Sequence, residues 1–263
     1  MVPTDRAASI AITVSYRGAG FAGFARQPGE RTVQGALETA LRTVLRRPVE
    51  TTGAGRTDAG VHALGQVVSF ELEAGEVIES GKLMRSLNGL MGPDIAITEV
   101  RVAPPGFSAR FDAEAREYRY RIVPGPVPPV FLADTAWWVK KHLDLGAMRR
   151  AGQALVGEHD FRSFCVTESA QGKRTVRTIE LLEIDVEREM GEHAVVVRIV
   201  GNAFLHSMVR VVVGSLVEVG SGRRPEEWLA EVLEARERSA AGPTAPPEGL
   251  TLWHVTYAEE ACL

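Results

Sequence analysis

The residues best suited to chemistry lie in one short glycine-rich stretch, residues 53–62. It contains an arginine and a carboxylate two positions apart, Arg56 and Asp58, and it ends on His62. Small residues let a backbone turn sharply and let a bulky polyanion come close. An arginine can grip a phosphate, and a carboxylate can act as a nucleophile or a base. The stretch therefore predicts either a site for a phosphate-bearing substrate or a glycine-rich turn in which Asp58 is only a cap.

Several common site types do not fit this stretch. Gly55 and Gly60 are separated by four residues rather than the two of a dinucleotide fingerprint, and the Gly-Lys-Ser/Thr of a P-loop is missing. No Gly-x-Ser-x-Gly elbow of a serine hydrolase is present, and the six histidines show no metal-ligand spacing. What remains is one carboxylate, one or two arginines and one tyrosine without a metal. Such a set suits attack by an aspartate on an electrophilic carbon.

A lone arginine in an apolar run suggests a second component. Arg210 lies within residues 208–213, where every other residue is apolar. Because a buried charge is costly unless it is paired, the sequence predicts a carboxylate partner, and Asp58 is a candidate. The alternative is an arginine on a helix surface whose charged end reaches water.

Tyrosines alternate with arginines further along the chain. Tyr118 and Tyr120 would share one face of a strand, and Arg119 and Arg121 would share the other. Aromatic rings can stack on a base while arginines bind phosphate, so the pattern suits RNA. An ordinary aromatic strand is the alternative.

Bulk composition defines the class of protein. The 263 residues are 45% hydrophobic and 24% charged, as in one large or two modest globular domains. No segment approaches the roughly 20 apolar residues of a membrane span, and the N-terminus lacks the apolar region of a signal peptide. Cys165 and Cys262 make neither a disulfide framework nor a zinc site, which fits a reducing cytoplasm.

The net charge of −4 gives no general attraction to nucleic acid, but cations occur in local groups, which predicts basic patches against acidic faces. The groups are Arg42, Arg46 and Arg47; Lys140 and Lys141; Arg149 and Arg150; Lys173, Arg174 and Arg177; and Arg223 and Arg224.

Apolar periodicity and capping signals predict the elements that would position these residues. Strands are expected at 10–16, 66–72, 95–102, 117–123, 177–186, 193–200 and 250–257. Helices are expected at 32–47, 82–90, 144–156, 204–219 and from 225 onward. The helix at 204–219 competes with a strand, because three valines follow Arg210.

The order of these elements predicts the fold class α+β. Both halves contain strand–helix–strand units, which indicates two related domains whose sheets could join. The residues Pro104-Pro105-Gly106 provide the best boundary. We therefore expect an N-terminal domain, 1–105, with the Asp58 loop, and a C-terminal domain, 106–263, with the Tyr118 strand and the Arg210 helix.

The chain resembles the tRNA pseudouridine synthase A family over nearly its whole length. The signature is Gly55-Arg56-Thr57-Asp58-Ala59-Gly60-Val61-His62-Ala63. Further similar motifs follow in order: Tyr16-x-Gly18 with Thr32-Val33-Gln34; Leu87-Asn88; Phe107-x-Ala109-Arg110-Phe111 leading to Tyr118-x-Tyr120; Gly157-x-His159-Asp160-Phe161; Lys173-x-Thr175-x-Arg177; Phe204-Leu205-His206-x-Met208-Val209-Arg210; and Gly242-Pro243-Thr244-Ala245-Pro246-Pro247.

The resemblance implies an isomerase that converts uridine to pseudouridine in the anticodon stem-loop of tRNA, at positions 38–40. It implies two α/β-sandwich-like domains with antiparallel (mixed) sheets flanking a central active-site cleft. A cytoplasmic homodimer that binds tRNA is also implied, with no membrane association, cofactor or metal. Departures from the family pattern include Phe24, Ser108 and Val211, which bear on packing and substrate range.

The resemblance also implies roles for individual residues. Asp58 falls on the catalytic aspartate, and Arg210 on the basic residue that pairs with it. Tyr118 falls on the base-stacking tyrosine, and Arg56 on the arginine linked to flipping the target base. Other residues that the matched motifs assign to substrate binding are Gly55, His62, Arg110 and Leu205.

Two other functions have to be distinguished from this one. A non-catalytic tRNA-binding or chaperone module could have the same fold and would bind RNA without Asp58. A nucleoside glycosidase would need a second catalytic carboxylate and would release free uracil.

Overall fold

The computed structural model describes residues 8–258, apart from the side chain of Ser169, so Cys262 lies outside the described residues. The strands in this range are β1 (Ser9–Tyr16), β2 (Thr52–Gly53), β3 (His62–Glu71), β4 (Ile95–Ala103), β5 (Ala113–Pro124), β6 (Trp137–Val139), β7 (Gly157–Asp160), β8 (Val176–Glu189), β9 (Glu192–Gly201) and β10 (Leu250–Tyr257). The α-helices are α1 (Val33–Leu45), α2 (Ser80–Met91), α3 (Leu145–Gln153), α4 (Thr167–Ala170), α5 (Met208–Gly220) and α6 (Trp228–Ala235). Short 3₁₀ turns occupy Phe161–Phe164, Arg238–Ala240 and Pro247–Gly249.

The chain divides into two compact units. Of the described residues, 8–115 and 252–258 form the first unit, and 116–251 form the second. The proposed domains, 1–105 and 106–263, differ from these units in two places. The units separate at 115/116, within β5, and most of β10 lies in the first unit. The placement of β10 in the first unit could not be predicted from the order of elements along the chain, because β10 pairs with β3, which lies almost 200 residues earlier.

The first unit consists of a sheet and two helices. Its strand order is β4-β1-β3-β10, with β1 antiparallel to both neighbours, and β2 pairs with β3. The hydroxyl of Thr32 accepts a hydrogen bond from Gly35 N–H at 3.2 Å and caps α1. Val33, Leu37 and Leu41 then form the buried stripe of that helix. Left-handed Arg46 ends α1, and the loop that carries Asp58 connects β2 to β3.

The second unit has an antiparallel sheet in the order β5-β9-β8-β7, with β6 parallel to β5 at its edge. For residues 204–219 the sequence favoured a helix over a strand, and the structure has a helix there. This helix, α5, begins only at Met208. Its valines are buried on all sides, so tertiary packing decides the conformation against their strand preference. Asp144 caps α3, which ends at Gln153 rather than at the expected residue 156, and Gly157 begins β7. The α+β class with largely antiparallel sheets is confirmed.

Candidate active site

Asp58 occupies the first corner of a tight turn. The N–H of Val61 donates to the carbonyl oxygen of Asp58 at 3.2 Å, which closes the turn. Gly60, the third residue of the turn, has φ of 81°, a value that type II turns require and that side-chain-bearing residues rarely adopt. The turn is held by its backbone, so the half-buried Asp58 carboxylate is not needed to close it.

The segment before α1 packs closely against this turn. A Cβ atom on Gly18 would overlap the carbonyl of Val61 and lie 2.7 Å from the carbonyl carbon of Gly60. The N–H of Gly18 donates to Nδ1 of His62 at 3.1 Å, and the N–H of Phe24 donates to the Thr57 carbonyl at 3.1 Å. This contact explains the small residue at position 18, because a larger one would displace the Asp58 turn.

His62 is placed in the interior by the same contact. Its side chain is buried, and Nδ1 can accept from Gly18 only when that nitrogen carries no proton. The ring is therefore part of the support for the turn. Its predicted role in substrate binding stays a prediction.

A buried polar layer lies beneath the residues that precede Asp58. The hydroxyls of Tyr16 and Thr57 are hydrogen bonded at 2.8 Å. The side chain of Gln66, fully buried, donates to the Gly55 carbonyl at 2.9 Å and accepts from the Gly55 N–H at 3.4 Å. Burial raises the pKa of Tyr16 to about 12, against the lowering effect of hydrogen bonds with Thr57 and Gln66, so its hydroxyl stays protonated. The loop is thus fixed on both sides of Arg56.

We expect Thr57→Val to lower kcat about tenfold, because it replaces the hydroxyl with a methyl group of similar volume next to Asp58 and leaves the Tyr16 hydroxyl without this bond. Thr57→Ser keeps the hydroxyl and should retain most of the activity. Steady-state turnover with tRNA, together with thermal melting of each variant, checks the expectation. Equal turnover by the valine and serine variants would remove the hydroxyl pair from any role in positioning the loop.

Arg56 is the exposed charged residue of the loop. Within the described part of the chain its guanidinium makes no hydrogen bond or ion pair. An arginine that is held at its backbone and open at its charged end is available to a phosphate or to a displaced nucleotide.

Tyr118 and Leu205 lie in the second unit. Tyr118 is on β5 with 8% of its surface exposed, and its ring meets Phe204 edge to face, with 5.2 Å between ring centres and planes at 83°. Leu205, half-buried, follows Phe204 directly and its carbonyl accepts from Met208 N–H at the start of α5. Two residues to which the resemblance assigns roles, Tyr118 and Leu205, are thus linked through Phe204 within this unit.

Arg210 lies in the first turn of α5. Its Nε donates to the Ala245 carbonyl at 2.8 Å, and the N–H of Ala245 donates back to the Arg210 carbonyl at 3.1 Å. The half-buried arginine is thus tied to the proline-rich loop after α6, which fixes the base of its side chain. Of the two interpretations of the sequence, a freely solvated surface arginine is the less compatible with this contact.

The two arginines that alternate with Tyr118 and Tyr120 form ion pairs with carboxylates. Arg119 lies 2.8 Å from Glu117, and Arg121 lies 3.1 Å from Glu189. Burial disfavours the charge of Glu117, but hydrogen bonds from Arg198 and Arg119 outweigh it, so its pKa lies below the ordinary value. These arginines belong to an ion-pair network on the sheet, and their part in binding phosphate stays a prediction.

One arginine in each of three expected basic groups is paired with a carboxylate. Short ion pairs join Arg47 to Glu76, Arg150 to Glu226 and Arg223 to Glu218, each at 2.6 Å. Arg110 lies in an exposed turn with its guanidinium 5.4 Å from the ring centre of Phe111.

The described residues bear on two further expectations. Among residues 8–258 there is no group of three or more His, Cys, Asp or Glu side chains that could hold a metal ion. Over the same residues no helix has the length and apolar character needed to span a membrane.

Comparisons with known proteins identify relatives over nearly the whole chain. A family described as tRNA pseudouridine synthase matches residues 12–112 and 151–258. A protein named tRNA pseudouridine synthase A from Frankia casuarinae is 47% identical over 257 residues, which cover 97% of this chain and 91% of the relative. Proteins of the same name from Pseudomonas aeruginosa and Limosilactobacillus fermentum are 45% and 43% identical, over 95% and 94% of this chain and 86% and 95% of their own.

Among solved structures, an archaeal box H/ACA Nop10–Cbf5 complex is 13% identical, with a TM-score of 0.34 over 88% of this chain and 60% of that one. A likeness of that degree carries no argument about the site. The family match includes the positions of Asp58 and Arg210, whereas Tyr118 falls between its two segments.

Proposed function

Because this chain belongs to the tRNA pseudouridine synthase family, whose members are isomerases, we propose that it modifies uridines of the anticodon stem-loop, at positions 38–40, with Asp58 as the catalytic nucleophile. The observation that carries the proposal is the arrangement of the loop. Asp58 lies at the corner of a turn fixed by Gly18 and Gly60, while Arg56 is exposed two residues away. A rigid carboxylate beside a free arginine suits a nucleotide that enters from solvent.

The reaction requires access to a base that is normally stacked. A uridine in a stem has to leave the helix before its C5 can be reached, at a cost of a few kcal/mol. In the proposal Arg56 occupies the vacated place or binds the displaced backbone, and the Tyr118 ring stacks on the extruded base. Gly55, His62, Arg110 and Leu205 complete the set that contacts or supports the substrate.

Asp58 then acts as an ionised carboxylate. It attacks C1′ of the ribose or C6 of the base, or it removes a ribose proton, and these three versions share the same outcome. The bond between N1 and C1′ breaks, the uracil turns, and C5 bonds to C1′ in its place. The hydrogen of C5 passes to water as a proton and N1 takes one up, so the atoms balance without a cofactor.

Arg210 is proposed to pair with the Asp58 carboxylate, as the family resemblance implies. The hydrogen bond from Nε to the Ala245 carbonyl holds the guanidinium in place.

We expect Arg210→Ala to lower kcat about a hundredfold, as expected for loss of a fixed charge in an active site, and to destabilise the fold by about 1–3 kcal/mol, because Ala245 loses its donor. Arg210→Lys keeps the positive charge and should recover part of the activity. Turnover of tRNA and chemical denaturation of both variants provide the two readouts. Wild-type turnover by the alanine variant would remove Arg210 from the site.

The proposal includes a cytoplasmic homodimer, by resemblance to the family. Sedimentation of the purified chain over a range of concentrations checks this part, and a monomer at the concentrations used for turnover would contradict it.

The substrate is tested with two tRNAs that differ only at three positions. One has 5-tritiated uridines throughout, including positions 38–40, and the other has cytidine at all three. We expect tritium release from the first and none from the second, since pseudouridine formation frees the C5 hydrogen. Binding without release from either tRNA would favour a non-catalytic tRNA-binding module, and equal release from both would place the modified uridine elsewhere.

A further inference from the structure

The side-chain amide of Gln66 makes two hydrogen bonds with one residue of the loop that carries Arg56 and Asp58. Gln66 lies on β3 and is fully buried. Its Nε2 donates to the Gly55 carbonyl oxygen at 2.9 Å, and its Oε1 accepts from the Gly55 N–H at 3.4 Å. The amide therefore binds Gly55 much as a residue of a neighbouring strand would, with one donor and one acceptor.

A bulge in β3 lies directly before Gln66. Val14 pairs with Gln66 and Tyr16 pairs with Ala63, so β3 has one residue more than β1 between these two pairs. Gly65 lies inside the bulge, where a Cβ atom would be 2.5 Å from a carbonyl oxygen of β10. Bulges re-aim side chains and are frequent beside active sites. The packed sheet thus sets the position of the amide.

The contact fixes the peptide group that leads into Arg56. The carbonyl of Gly55 and the N–H of Arg56 belong to one planar group, so a bond to that carbonyl sets the direction in which the chain enters Arg56. One residue earlier, the Ala54 N–H donates to the Val67 carbonyl at 2.8 Å. The side chain of Arg56 is exposed, but the main chain that leads to it is held by β3. The place of its charged end consequently depends on Gln66.

The turn at Asp58 has supports of its own. The N–H of Val61 donates to the Asp58 carbonyl at 3.2 Å, and the carbonyl of the preceding residue accepts from the Phe24 N–H at 3.1 Å. These two bonds do not involve Gln66, so they remain when its amide is removed. Loss of the amide should therefore displace Arg56 more than Asp58.

From this division of support we propose that Gln66 is a positioning residue for extrusion of the target uridine, because it holds Arg56 where the guanidinium can take the place of the base. This inference rests on the proposed function, in which Arg56 assists extrusion and Asp58 does the chemistry. Extrusion costs most for a paired, stacked base and least for a mismatched one. The requirement for Gln66 should therefore increase with the strength of pairing at the target.

The first test compares two tRNAs that differ in how firmly the target uridine is held. The target is at position 39, opposite adenosine in one tRNA and opposite cytidine in the other. Gln66→Met keeps the length of the side chain and removes both hydrogen bonds. In single-turnover tritium release we expect about a tenfold loss on the paired substrate and less than about a twofold loss on the mismatched one. Equal losses on the two substrates would overturn the inference.

Asn88→Leu is the matched control. Asn88 lies in α2 of the same unit, and its Nδ2 donates to the Ile97 carbonyl at 2.9 Å while its Oδ1 accepts from the Ile97 N–H at 2.7 Å. The substitution removes the same pair of bonds without touching the Arg56 loop, so the ratio of the two rates should stay that of the wild type. A change of that ratio as large as in Gln66→Met would assign the effect to general stability and contradict the proposal.

A double-mutant cycle tests whether Gln66 acts through Arg56. The rate on the paired substrate is measured for Arg56→Ala, for Gln66→Met and for the two together. Once the guanidinium is gone, we expect the Gln66 substitution to add less than about a twofold loss, because coupled residues are not additive. Losses that multiply would show that the amide supports another part of the site, and this result would overturn the inference.

Extrusion is also measured without the reaction, in the Asp58→Asn background. The fluorescence of 2-aminopurine placed beside the target rises when the target base leaves the stack. We expect a clear rise with Gln66 present and a much smaller one with Gln66→Met. An equal rise would overturn this inference alone, whereas no rise even with Gln66 present would contradict the proposed function itself.

Thermal melting of each variant verifies that it is folded at the assay temperature. If Gln66→Met is not, Gln66→Asn takes its place in all three measurements. Its amide keeps a polar group in the buried layer but is one carbon shorter, so it does not reach both atoms of Gly55. The expected results and the results that would overturn the inference are the same for this variant.

Discussion

Asp58→Asn is expected to lower the rate of isomerisation at least about a thousandfold while tRNA binding is retained. The amide has nearly the shape of the carboxylate but no charge, so it is neither a useful nucleophile nor a base. The turn closes through the backbone bond between Val61 and Asp58, which the substitution leaves in place. Tritium release under single-turnover conditions measures the rate, and filter binding measures the Kd. Glu50→Gln, at an exposed carboxylate of the same unit, is the matched control.

This prediction separates the candidate functions. A module that only binds RNA has no need of the Asp58 carboxylate, so it would show no release with either protein. Release by Asp58→Asn at a rate within tenfold of wild type would exclude the carboxylate as the nucleophile.

Gly18→Ala is expected to lower kcat about a hundredfold, as much as the loss of the Arg210 side chain. Its new Cβ would overlap the Val61 carbonyl, and this is backbone, which cannot move without shifting the turn from Asp58 to Val61. Overpacking of this kind also destabilises a fold by about 1–3 kcal/mol, so we expect a lower melting temperature. A displacement of about 1 Å at a catalytic group can cost a hundredfold in rate.

A second glycine provides the control for that experiment. Gly89 lies in α2, and a Cβ there would meet nothing within 4 Å. Gly89→Ala should therefore keep full activity and raise stability by about 0.5–1 kcal/mol, as expected for alanine in a helix. If Gly18→Ala matched it in both turnover and melting temperature, the close contact would not position the Asp58 turn.

The sequence predicted where helices begin when a capping side chain and an apolar stripe lie next to each other in the chain. Thr32 and Asp144 are polar caps directly before apolar stripes, and both cap helices in the structure. For the valine-rich helix α5, the length of the apolar pattern predicted the conformation correctly, whereas the strand preference of valine did not. The residues directly before Met208 are not helical.

Partners across strands could not be predicted in the same way. Alternation showed that Arg119 and Arg121 face away from the tyrosines, and the partner of Arg119 is Glu117, two residues earlier on the same face of β5. The partner of Arg121 is Glu189 on β8, and that contact depends on the pairing of β5 with β9 and of β9 with β8. The three-residue strand β6 was missed because such a short segment has no periodicity to detect.

The support of the site was only partly visible in the sequence. The resemblance identifies Asp58 and Arg56 but says nothing of the buried layer that holds them. Gln66 did carry a signal, since it is a polar residue on the inner side of an apolar strand. A buried amide needs hydrogen-bond partners, and here the partner is the Gly55 peptide.

The most direct test of the reaction measures, in one assay, the release of the C5 hydrogen and the fate of the uracil ring. A tRNA is prepared with tritium at C5 and carbon-14 in the ring of its uridines, and it is incubated with the wild-type chain. Isomerisation predicts that one tritium passes to water for each uridine converted while all carbon-14 stays in the RNA. Carbon-14 recovered as free uracil, or no tritium release at all, would contradict an enzyme that rejoins the base to C1′ through C5.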